Sequence, residues 1–273
     1  MRRDDLRTSV RNKLLRWVVR ALALWVASST PTFARDRVKL GIIGGDSEIH
    51  WAKAKEIAAR DELDIELVVF SDYLLPNEAL AAGDLDANAF QHRPFLDNQI
   101  KVRGYKIVPV AETIVTPIGL YSRRVKAVGE LKPGAELGIP NDPSNGGRAL
   151  LLLQAQGLIK LKDGVNLLPT VFDVIENPKR LKFHELDAAQ LPRSLDDLDA
   201  AVINTNYAVA AGLTPGKDSI AVESAVANPY NNVIVVRETD RNAVWVARLV
   251  RAFQNDAIRQ LLKEQFPGQF PAF

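Results

Sequence analysis

Short apolar blocks alternate with polar helical stretches along this chain, and the period switches in a regular order. Val38-Lys-Leu-Gly-Ile-Ile43 reads as a buried strand that ends at Gly44-Gly45. Asp46 or Ser47 can cap the helix that follows, with Ile49, Ala52, Ala54, Ile57 and Ala58 as its buried stripe. Ile65 to Phe70 is a second strand, and Leu75 to Ala82 a helix with Pro76 near its start. Ala87 to Phe90 is a third strand, and Arg93 to Arg103 its helix, stopped by Gly104. Tyr105 to Val110 is a fourth strand. This βαβαβα order predicts an α/β unit with a mostly parallel sheet and helices on both faces.

A second series follows a long strand over Ile114 to Tyr121. Glu136 to Ile139 is a strand and Asp142 to Ala155 a helix with the apolar run Ala149 to Leu153. Phe172 to Ile175, Leu181 to Phe183 and Ala200 to Ile203 are short elements of the same rhythm. Asn232 to Val236 is a strand, and Ala243 to Glu264 a single closing helix. Two α/β units joined by extended segments predict two lobes with a cleft between them. No internal repeat or low-complexity linker interrupts the chain.

Charge changes the picture at the N-terminus. Arg2, Arg3, Arg7, Arg11, Lys13, Arg16 and Arg20 make it basic; the apolar run Ala21 to Ala27 and small residues up to Thr32-Phe33-Ala34 follow. That is the order of a secretory signal, cleaved after Ala34. The competing reading is an uncleaved membrane anchor, but Arg20 leaves the apolar stretch short for a bilayer. The full chain carries 35 basic and 33 acidic residues; without residues 1–34 it carries 28 and 31, a net charge of −3. The basic excess therefore belongs to the targeting segment and gives no support for nucleic-acid binding. The absence of cysteine excludes disulfides, thiolate metal sites and cysteine nucleophiles.

Candidate chemistry gathers at predicted strand ends, where open α/β sheets bind ligands. Phe90, Gln91 and His92 close the third strand, and Pro94 suits the first turn of the next helix. Asn141-Asp-Pro-Ser-Asn-Gly-Gly-Arg148 follows another strand. Its first helical turn can offer free backbone N–H groups to an anion, its glycines allow close approach, and Arg148 can fork onto a carboxylate. The competing reading of Arg148 is a helix N-terminal arginine paired with a surface acid. A nucleotide site is disfavoured, because the segment is not GxxxxGK[ST]. Asn204 and Asn232 stand at the edges of strands, where an asparagine is most often a cap or turn residue. Tyr73 and Phe90 are each explained by core packing when taken alone. Enzyme readings lack a constellation: the histidines are His50, His92 and His184, with neither HExxH nor a Gly-x-Ser-x-Gly elbow, and Asp61-Glu62 and Asp196-Asp197 read as solvated surface.

Longer motifs add a resemblance. Phe70-Ser-Asp-Tyr-Leu-Leu-Pro-Asn-Glu-Ala-Leu80, Asp86-Ala-Asn-Ala-Phe-Gln-His-Arg-Pro-Phe-Leu-Asp97, Ile139 to Arg148, Asn166 to Pro178 and Gln190 to Asp197 occur in order. From Val38 onward the chain resembles the MetQ/NlpA-type methionine-binding proteins of bacterial ABC importers. The resemblance implies a two-lobe periplasmic-binding-protein fold with two interlobe crossings, near Thr116–Ser122 and Pro229–Val233. Residues 35–118 and 231–273 would form lobe I, and residues 119–230 lobe II. It implies a ligand set of Tyr73, Phe90, His92, Asn145, Arg148, Asn204 and Asn232, with Arg148 on the α-carboxylate, the asparagines on the head group and the aromatics around a thioether. It implies an exported, monomeric binding protein that needs no cofactor or metal and that delivers methionine to an ABC permease and ATPase. Many members of the family carry a lipid on a cysteine at the cleavage site, so the anchor does not transfer to this chain. D-methionine, a methionine dipeptide or another apolar amino acid are the nearest alternative ligands; an enzyme or a surface interaction protein on the same fold are alternatives of another class.

Overall fold

The computed structural model describes residues 36–273; the export segment and its cleavage point after Ala34 lie outside the described residues. In chain order the first elements are β1 (Asp36–Ile43), α1 (Asp46–Ala58), β2 (Leu63–Phe70), α2 (Leu75–Ala82), β3 (Ala87–His92), α3 (Arg93–Arg103), β4 (Ile107–Glu112), β5 (Ile114–Val115) and β6 (Gly119–Tyr121). Then come β7 (Glu136–Pro140), α4 (Pro143–Ala155), β8 (Lys160–Leu161), β9 (Val174–Glu176), β10 (Lys182–Leu186), α5 (Leu191–Ser194), β11 (Ala200–Ile203), α6 (Thr205–Ala210) and β12 (Ser219–Val222). The chain closes with β13 (Asn232–Arg237), α7 (Val244–Phe253), α8 (Asp256–Gln265) and β14 (Phe270–Pro271).

Two five-stranded sheets share one plan. The first runs β2-β1-β3-β13-β4 and the second β10-β7-β11-β6-β12. In each, three parallel strands are followed by one strand antiparallel to both of its neighbours. That odd strand is β13 in the first sheet and β6 in the second. Each is the first strand laid down after the chain changes sheets, between β5 and β6 and again between β12 and β13. The two sheets are therefore joined twice, and the first takes its strands from both ends of the described chain. This is the α/β fold of periplasmic substrate-binding proteins.

Burial follows the sheets. Val38, Leu40, Ile42 and Ile65 on the first sheet pack with Trp51 of α1, Leu249 and Phe253 of α7, and Ile258 and Leu262 of α8. Leu80, Leu85, Leu96 and Ile107 cover its other face. Leu120, Leu137, Ile139 and Val202 of the second sheet pack on Leu150 and Leu153 of α4. Each fully buried aliphatic side chain contributes about 1.5–3 kcal/mol. A further cluster joins Ile43 of the first sheet to Tyr121 and Ile203 of the second and to Leu191 of α5 and Tyr207 of α6, with Phe70, Tyr73 and Phe90 against it.

Four sequence expectations change. The predicted closing helix over 243–264 is two helices, because Asn255 breaks it and caps α8 by accepting the Ile258 N–H at 3.1 Å. The predicted strand over 114–121 is two short strands interrupted at Thr116-Pro117-Ile118, where Pro117 has no N–H for a ladder. The buried face of α1 is Asp46, His50, Trp51, Ala54 and Ala58, and Ile49 points to solvent. Polar Asp46 and His50 take core positions, which an apolar stripe cannot reveal. The cap of α1 is Gly45 rather than Asp46 or Ser47, with the Glu48 carboxylate accepting the Gly45 N–H at 3.0 Å.

Candidate ligand-binding site

A small cavity of about 30 Å³ lies between the sheets. Tyr73, Phe90, His92, Asn145, Arg148, Asn204 and Asn232 all line it. Sequence reasoning missed Phe95, Thr116 and Asn206 as lining residues. Phe95 lies three residues past His92, on the same helix face. Asn206 is the second asparagine of Asn204-Thr205-Asn206. Thr116 belongs to the segment misread as continuous strand.

The apolar end is an aromatic box. Tyr73, Phe90 and Phe95 stand with ring centroids 6.0–6.1 Å apart, the two contacts to Phe95 being edge-on. His92 meets Phe95 and Tyr230 edge-on, at 6.2 and 5.0 Å. Gln91 anchors the strand end in a buried amide network with Asn77 and Asn88.

Protons in the polar end can be assigned from the donors. His92 caps α3, its Nδ1 accepting the Phe95 N–H at 3.2 Å. Burial, and then the Arg148 cation, lower the His92 pKa to about 3, so the ring is neutral. Its one proton is therefore on Nε2, which donates to Asn145 Oδ1 at 3.1 Å. Asn145 Nδ2 donates to the Asp142 carboxylate at 2.8 Å, which fixes that amide. Asn145 Oδ1 also accepts from Asn204 Nδ2 at 2.8 Å. The consequence lies at Asn204: its Oδ1 is buried and has no partner among the described residues. Asn206 is the converse. Its Oδ1 accepts from the Tyr73 hydroxyl at 2.6 Å, and its buried Nδ2 is left without an acceptor. A buried, unpaired polar group costs about 1–3 kcal/mol, so the cavity carries one acceptor and one donor that a ligand could satisfy.

The anion site differs from the sequence expectation in two ways. First, the start of α4 is already capped. Asp142 Oδ1 accepts the Ser144 and Asn145 N–H groups at 3.2 and 2.9 Å, so the helix N-terminus offers no free nest there. Gly146 and Gly147 serve the protein's own packing: a Cβ would lie 2.7 Å from the Pro140 carbonyl oxygen at Gly146 and 2.8 Å from that of Leu167 at Gly147. Second, the fork of Arg148 goes to Glu223. Nε donates to its carboxylate at 3.0 and 3.1 Å and Nη2 at 2.5 Å, while Nη2 also reaches the Thr116 carbonyl at 2.9 Å. Arg148 is 3% exposed and lines the cavity, and its Nη1 makes no hydrogen bond among the described residues. Asn232, which opens β13 opposite His92, makes no side-chain hydrogen bond among the described residues.

Other candidates fall elsewhere. His184 is half exposed on edge strand β10, 3.3 Å from Glu136. Asp196 and Asp61 pair with Arg123 and Arg251 at the surface. His50 lines a second small chamber of about 40 Å³ behind Phe90, which shares Thr116, Asn206 and Asn232 with the first cavity.

Residues 38–273 match the family model described as NlpA lipoprotein. This chain belongs to the NlpA lipoprotein family. Among NlpA relatives, the D-methionine-binding lipoprotein MetQ of Escherichia coli K12 is 54% identical over 237 residues, 85% of this chain and 87% of the relative. A nutrient-binding protein of Burkholderia cenocepacia, solved bound to methionine, superposes with a TM-score of 0.84 at 50% identity, over 86% of this chain and all of that one. A periplasmic substrate-binding protein of an ABC transporter from Coxiella burnetii gives 0.83 at 48% identity, again over 86% of this chain and all of that one. One of these relatives is thus a D-methionine-binding lipoprotein, and another a substrate-binding protein of an ABC transporter.

Proposed function

We propose that this protein is an exported substrate-binding protein that captures methionine between two lobes and delivers it to an ABC permease and ATPase. It performs no turnover and works as a monomer. Lobe I is residues 35–118 with 231–273, lobe II is residues 119–230, and the lobes close about the two crossings. The observation that supports this most is the match between the cavity's unpaired groups and a zwitterionic head. Arg148 Nη1 takes the carboxylate, Asn204 Oδ1 takes the ammonium, and Asn145, Asn206 and Asn232 complete the shell. The thioether lies among Tyr73, Phe90 and Phe95, where sulfur meets ring edges. Tyr73, which donates to Asn206, and His92, which donates to Asn145, then link one sheet's residues to the other's across the ligand.

A second reading has one observation in its favour. The chamber behind Phe90, lined by Asp46, Ser47, His50 and Thr113, adjoins the cavity on the side toward which a residue added to the methionine amino group would extend. Calorimetric titration of protein refolded from denaturant separates the readings. L-methionine and D-methionine should outcompete glutamate and lysine by at least 100-fold, because the aromatic box holds no partner for a second charge and burying one unpaired costs several kcal/mol. Glycyl-methionine binding tighter than methionine would favour the second reading. Tight binding of glutamate or lysine, with none of methionine, would overturn both.

A further inference from the structure

The residue that sets the head-group end of the cavity is one that does not line it. Glu223 follows β12 in the segment that returns the chain to the first sheet. Its carboxylate holds Arg148 by Nε and Nη2, accepts Asn228 Nδ2 at 2.8 Å, and lies 3.4 Å from the Ile118 N–H. The Glu223 N–H donates to the Ile118 carbonyl at 3.0 Å. Ile118 and Thr116 belong to the outgoing connection between the sheets, and Glu223, Asn228 and Tyr230 to the returning one. The guanidinium is thus gripped on one edge by Glu223, at a second point by Thr116, and on one face by the Tyr230 ring, 4.3 Å from its centre. Only Nη1 is left to turn toward a ligand.

We infer that Glu223 is a positioning and specificity residue: it fixes Arg148 with Nη1 toward the ligand and cancels its charge, so that the pocket selects a zwitterion over an anion. An uncompensated buried cation favours a ligand of net charge −1, whereas a compensated one leaves the ammonium contacts to decide. This rests on the amino-acid reading above. A purely structural role would weaken all ligands alike; the charge-cancelling role changes their ratio.

The test compares wild type with Glu223→Gln, and with Asn228→Ala, which removes one tether of Glu223 and leaves both charges. Each is titrated with methionine and with 4-(methylthio)butanoate, the same molecule without its ammonium. In Glu223→Gln the preference for methionine over the des-amino acid should fall by about tenfold or more, and in Asn228→Ala it should fall less. A second readout needs no ligand. The Arg148 side-chain Nε–H, followed by 15N NMR, should exchange slowly in wild type and at least about tenfold faster in Glu223→Gln. An unchanged preference in a folded Glu223→Gln, or tighter methionine binding, overturns the proposal. So does fast Nε–H exchange in wild type. If wild type binds no amino acid, the functional reading fails while the exchange measurement still judges the Glu223–Arg148 grip.

Discussion

Arg148→Ala is expected to weaken methionine binding by about 30-fold to several thousand-fold, since truncating one member of a desolvated charge pair costs roughly 2–5 kcal/mol. The loss should appear chiefly as faster release. Methionine methyl ester, which lacks the carboxylate, should bind wild type poorly and lose little more on mutation. The pairing with Glu223 adds a consequence. Removing Arg148 strands a carboxylate whose side chain is only 15% exposed, and an unsatisfied buried group costs about 1–3 kcal/mol. Arg148→Ala should therefore also be less stable in urea. The double variant Arg148→Ala/Glu223→Gln should regain much of that stability without regaining affinity. Methionine binding by Arg148→Ala at the wild-type level would remove the head-group assignment.

Acid should destabilise this protein well before its carboxylates titrate. Burial lowers His92 to about 3, with the Arg148 cation adding to the effect. Burial lowers His50 to about 4, against the opposing pull of Asp46. In the unfolded chain both rings take a proton near 6.5. Above that pH neither state is protonated and the full stability is present. Between about pH 6.5 and 4 the unfolded state binds two more protons than the folded one, so stability falls with pH, by up to about 2.7 kcal/mol per unit. Urea midpoints at pH 7, 6, 5 and 4.5 measure the slope. His92→Gln should roughly halve it, whatever its own stability at pH 7. A stability profile flat from pH 6.5 to 4.5 would show that the two rings are not buried neutral.

How much of this was legible in the residues depended on whether the signal was local. Helix α3 could be bounded to the residue because Pro94 and Gly104 mark its ends, and β11 because Ala200 to Ile203 is a short apolar run. The cavity residues stood at strand ends, and open α/β sheets gather such ends at one cleft, so their convergence could be expected. The break at Asn255 was missed because the apolar pattern runs on through α8, with Ile258 and Leu262 in register for one helix. Asp46 and His50 escaped because a buried polar residue carries no periodicity. Glu223 was beyond reach for another reason. It meets Arg148 across 75 residues of chain, and nothing in Val222-Glu223-Ser224 marks it. The fork of an arginine can be foreseen from its type, but its partner is set by tertiary packing.

The most direct test of amino-acid capture in this cavity is a crystal structure of the protein with methionine. The ligand carboxylate should lie about 3 Å from Arg148 Nη1 and the ammonium about 3 Å from Asn204 Oδ1, with the sulfur among Tyr73, Phe90 and Phe95. Methionine bound in the reverse sense, with its thioether against Arg148, or found outside this cavity altogether, would contradict it.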